Sequence, residues 1–74
     1  MKNPTLLKSN VDREQAIEIM NFLYWDYIRK TIYTPNKGTG YIIWIDYNDN
    51  EIAKWTNEYR NIMISKDFLN SVKR

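Results

Sequence analysis

Asp46, Asn48 and Asn50 stand at i, i+2 and i+4, the spacing with which a calcium loop presents its first oxygen ligands. Such a loop needs glycine at its sixth position and a bidentate glutamate at its twelfth. Glu51 and Asn57 occupy those places, so calcium is not expected. Cysteine and histidine are both absent, which removes thiol nucleophiles, disulfides, imidazole bases and the zinc sites built from those ligands. Carboxylates remain, but no spacing pairs an acid with a base in a recognisable pocket. The chain is expected to be no enzyme and to hold neither metal nor cofactor.

Binding is then the function class left open. A chain of 74 residues, 43% of them hydrophobic, can form one domain spanning residues 1–74. A net charge of +2 and a pI near 8.9 lean towards an anionic partner without the charge density of a nucleic-acid-coating tail. The apolar runs are shorter than a membrane span, and Lys2, Asn3 and Pro4 follow Met1 in place of a signal-peptide core. A soluble, intracellular protein with no membrane partner, monomeric alone, is expected. The stretch 12–24 could form an amphipathic helix, but Glu14, Glu18 and Asn21 on its polar side argue against an anionic lipid surface.

The elements that would position a binding site follow from periodicity and punctuation. Thr5–Ser9 reads as a short strand, with Leu7 inward and Leu6 and Lys8 outward. Asp12 and Gln15 have the form of a capping box, with Val11 just outside it. Ala16, Ile17, Met20, Leu23 and Tyr24 then share one side of a helix that ends near Tyr24–Asp26. Residues 27–34 turn β-branched, and Thr34-Pro35-Asn36-Lys37-Gly38 supplies a turn leading into a strong strand over Gly40–Tyr47. Asn48, Asp49 and Asn50 offer caps for a helix through Ile52, Ala53, Trp55 and Tyr59, with Asn61 as its stop. The last ten residues fit either a strand or a short helix capped by Ser65.

The order so far is strand, helix, strand, strand, helix, and within it KGTGYIIW, Lys37–Trp44, resembles the RNP1 signature of the RNA recognition motif family. Lys37, Gly38, Gly40, Tyr41, Ile42 and Trp44 fit or nearly fit that pattern, while Thr39 departs from it. The stretch TPNKGTGYIIWIDYND looks most like the small branch-site subunits of the splicing factor 3b complex. The resemblance implies an α+β, ferredoxin-like βαββαβ sandwich: a four-stranded antiparallel sheet in the order 4-1-3-2, with two helices on one face and Phe68–Val72 as the fourth strand. It also implies a nuclear role in RNA processing, as a spliceosome-associated protein contacting single-stranded RNA.

Alternation over residues 39–45 puts Thr39, Tyr41, Ile43 and Ile45 on one face and Gly40, Ile42 and Trp44 on the other. By the resemblance the first set is the open surface: Tyr41 stacks under a base beside Thr39, while Lys8, Arg29 and Lys37 neutralise phosphates. The stacking aromatic that the family carries on its first strand is missing, so RNA binding should be weak. Trp44, on the helix-facing side, is core material. Leu6, Ile43 and Ile45 would leave an apolar patch of the kind that marks a protein interface. The alternative function is therefore a module whose sheet is covered by a partner polypeptide, with little direct RNA contact.

Overall fold

The structure is a computed structural model that describes residues 1–35 and 38–72. Strand β1 (Pro4–Lys8) leads into helix α1 (Arg13–Tyr24), which starts where the capping box predicts. The Gln15 amide donates to the Asp12 carboxylate at 2.8 Å, and the Asp12 amide donates to the Gln15 side chain at 2.9 Å. Ala16 and Met20 are fully buried, with Ile17, Ile19 and Tyr24 packed around them. Leu23, expected on this side, is instead 47% exposed. Ile19, one turn earlier on the same side, is partly buried against the core, and both it and Leu23 line a groove beside β1. A 3-10 turn at Trp25–Tyr27 then feeds β2 (Ile28–Thr34).

The loop after β2 reaches Gly38, whose φ of +77° is the left-handed conformation the turn reading assigns to it; Asn36 and Lys37 lie outside the described residues. Strand β3 (Tyr41–Asp46) follows, with Ile42 and Trp44 completely buried and Tyr41, Ile43 and Ile45 half-buried, as alternation requires.

The second half of the chain differs from the expectation. Residues 51–56 form strand β4 (Glu51–Thr56), not a helix; β5 (Asn61–Ser65) comes next, and the chain closes with helix α2 (Lys66–Val72) where the resemblance implied a fourth strand. Asp46, Asn48, Asp49 and Asn50 build a hairpin turn in place of a helix cap. The Asp46 carboxylate accepts the Asn48 and Asn50 amides at 2.9 Å each, and Asp49 takes a φ of +64°. Ile52, Ala53 and Trp55 had mimicked a helical face because a β-bulge sets Ile52 and Ala53 together against Trp44, which breaks the alternation of two. The left-handed residue before β5 is Arg60, φ +53°, one position before the predicted stop at Asn61. Ser65 does cap α2, accepting the Phe68 amide at 3.3 Å.

All pairings are antiparallel, and the sheet runs β1-β5-β4-β3-β2. The α+β class, the antiparallel sheet and the number of helices agree with the sequence reading, but the second helix lies at Lys66–Val72 and not over 50–59, and the sheet has five strands where four were expected. Its inward residues Ile42, Trp44, Ile52, Ala53, Trp55, Ile62 and Ile64 form one core with Val11, Ala16 and Met20 of the first helix region and Phe68 of α2. Both helices therefore cover the same face. No helix among the described residues is long and apolar enough to cross a membrane.

Candidate binding face

Because both helices lie on one side, the other side of the sheet is open, and the pairing registers fix what it displays. Ile32, Ile43, Lys54, Met63 and Leu6 stand opposite one another in a single row across all five strands. One pleat away, Thr34, Tyr41, Thr56 and Asn61 form a polar row with one aromatic ring. On the other side, Lys30, Ile45 and Glu51 form a third row. The middle row is apolar except at its centre, where Lys54 extends to place its ammonium 5.1 Å from the centroid of the Tyr41 ring.

The residues singled out from sequence fall into two groups. Leu6, Ile43, Ile45 and Tyr41 do share this face; Leu6 and Ile43 are three strands apart, about 14 Å, with Met63 and Lys54 between them. The proposed cations do not gather round Tyr41. Lys8 follows a bulge at the far edge of the sheet and lines a groove against α1. Arg29 lies at the opposite end of β2–β3 and forms an ion pair with Asp49 of the hairpin turn. Thr39 is exposed in the turn before β3, and Lys37 lies outside the described residues. The basic partner that Tyr41 does have, Lys54, was hidden by the helical reading of residues 50–59. As a strand, the same stretch puts Lys54 and Thr56 outward by alternation, with Glu51 brought to the same face only by the bulge; the alternation of residues 53–56 was the available signal. Ile32 and Met63 were missed for a different reason: only the register joins them to Ile43.

The two edges of the sheet are guarded. On β1, Pro4, the bulge after Leu6 and Lys8 interrupt the free edge. On β2, a bulge between Ile28 and Lys30 and the charges of Arg29 and Lys30 do the same. The helix-facing side of β2 is closed by Arg13, which donates to the Tyr33 hydroxyl and lies 4.9 Å over its ring. What the sheet offers a partner is thus its face. Among the described residues no three acidic groups converge on a metal-sized space. One oxygen of the Asp46 carboxylate that resembled a calcium ligand, Oδ1, accepts two backbone amides. No protein-family model, curated protein or solved structure matches the chain.

Proposed function

We propose that the protein is a non-catalytic binding module whose open sheet face is covered by a partner polypeptide. The observation that carries this is the row Leu6, Met63, Lys54, Ile43, Ile32, flanked by Ile45: two pairs of large apolar side chains on either side of one lysine, on the uncovered face of a sheet whose edges are guarded. Apolar side chains exposed in this way favour burial against another apolar surface. Lys54 at its centre gives a partner one acidic contact to satisfy. The test is peptide selection by display against the full chain, followed by chemical-shift mapping of the selected binders. Shifts centred on Leu6, Ile32, Ile43 and Met63, abolished by Ile43→Asp, are expected. Binders that leave those residues unperturbed would overturn the proposal.

A second reading draws on the Tyr41–Lys54 pair. A ring with an ammonium beside it can stack a base and meet the adjoining phosphate, which suits single-stranded RNA. The resemblance of residues 37–44 to RNP1 supports this use of the face. The ferredoxin-like arrangement of that family, and with it a nuclear role in splicing, belongs to this reading; the five-stranded order β1-β5-β4-β3-β2 does not follow the expected 4-1-3-2 sheet. One ring and one cation make a small platform, so RNA binding by the isolated chain should be weak and fall as salt rises. Fluorescence titration at two salt concentrations with Tyr41→Ala and Lys54→Ala tests it. Tight binding that neither substitution weakens would remove the second reading and leave the first untouched.

A further inference from the structure

The largest departure from ordinary burial lies on the far side of the molecule from the open face. Phe22 of α1 is 88% exposed, and Trp25, three residues on, is 69% exposed. Beside Phe22 runs a groove of about 450 Å³ between α1 and the edge strand, lined by Leu7, Lys8, Glu18, Ile19, Phe22 and Leu23. We infer that this patch is the interface of a homodimer, in which Phe22 of each copy seats in the other copy's groove.

The patch contains its own complement, which a two-fold interface requires because the same surface serves both sides. Phe22 is the knob; Leu7, Ile19 and Leu23 form the hole. Lys8 and Glu18 bring one charge of each sign to the same groove, and among the described residues neither makes an ion pair. A two-fold axis through the groove carries each Glu18 towards the other copy's Lys8 while Phe22 crosses the seam. A lipid surface would find no such match, since the charges nearest the aromatics include Glu18 and Asp26. Phe22, Trp25 and Leu23 together leave roughly 400 Å² of apolar surface per copy. Two copies therefore bury roughly 800 Å², short of the ~1,200 Å² of a stable specific interface, so the dimer is a weak, concentration-dependent one. The dimer departs from the monomer expected on sequence, and it leaves both open sheet faces free, so the assembly is bivalent for the partner proposed above.

Sedimentation equilibrium of the full chain, from about 1 to 500 μM, tests the proposal. A monomer–dimer equilibrium is expected, weakened at least tenfold by Phe22→Lys, a substitution at an exposed helical position that near-ultraviolet circular dichroism should show to be folded. Glu18→Lys and Lys8→Glu should each weaken association, and the double variant should recover most of the loss. A monomer throughout the range overturns the proposal, as does a dimer indifferent to Phe22→Lys or a double variant no better than either single one. A dimer broken by Ile43→Asp and not by Phe22→Lys also overturns it, by moving the interface to the open face.

Discussion

Trp44 and Trp55 are neighbours in the core with opposite polar fates. The Trp55 indole donates to the Val11 carbonyl at 2.9 Å and ties the loop before α1 to the centre of the sheet. The Trp44 indole nitrogen is buried with no acceptor among the described residues, and an unmet buried donor costs about 1–3 kcal/mol. Replacing Trp44 with Phe removes that donor while opening space, and the two effects largely offset. Trp55→Phe instead strands a carbonyl. Chemical denaturation should find Trp55→Phe more destabilising than Trp44→Phe by about 1–3 kcal/mol, while Trp44→Ala loses about 3–5 kcal/mol and threatens folding outright. Tyr24 supplies a pH dependence: burial pushes its hydroxyl above the ordinary tyrosine range. A folded-state value above the unfolded one leaves stability whole below about pH 10 and erodes it as pH rises from there towards the folded value. Tyr24→Phe keeps the edge-on contact with Phe68 at 5.2 Å between centroids and should flatten the alkaline limb of a stability–pH curve.

At the scale of elements, local signals succeeded where a side chain answers its own backbone. The capping box at Asp12 and Gln15 is such a signal, and Asp12→Ala should cost about 0.5–2 kcal/mol in a denaturant melt. The β2 and β3 strands were equally legible, since residues 28–34 and 41–46 favour extended backbone on their own. Residues 51–56 were not. Ile52, Ala53 and Trp55 satisfy a helical face as well as a bulged strand, and β3 and β5, pairing on either side, decide between the two. The Asp46 turn belongs with that decision. Because its carboxylate holds two amides of the β3–β4 hairpin, Asp46→Ala should lower the melting temperature more than Asp46→Asn, which keeps an acceptor in place.

For the molecule as a whole, β4 is the hub, flanked by two strands on each side. Hydrogen exchange should therefore be slowest at β4 amides and fastest in β1 and β2, whose outer edges meet solvent. Comparable protection in all strands would mean that the edges are covered, by another copy or by a partner. The open face makes a matching prediction: Ile43→Asp should abolish peptide binding while changing unfolding free energy far less than Trp44→Ala, because Ile43 is half-exposed and Trp44 is wholly enclosed. The sequence by itself determined the absence of thiol and imidazole chemistry, the helix over 13–24, the central hairpin and the facing of Tyr41, Ile43 and Trp44. Composition, capping and alternation are local properties that act before any long-range contact forms. Only the tertiary structure decided that residues 51–56 are a strand, that Lys54 and not Lys8 or Arg29 accompanies Tyr41, and that Leu6, Met63, Ile43 and Ile32 make one row. Those facts depend on which strands pair and in what register, and register is a property of two segments that neither carries alone.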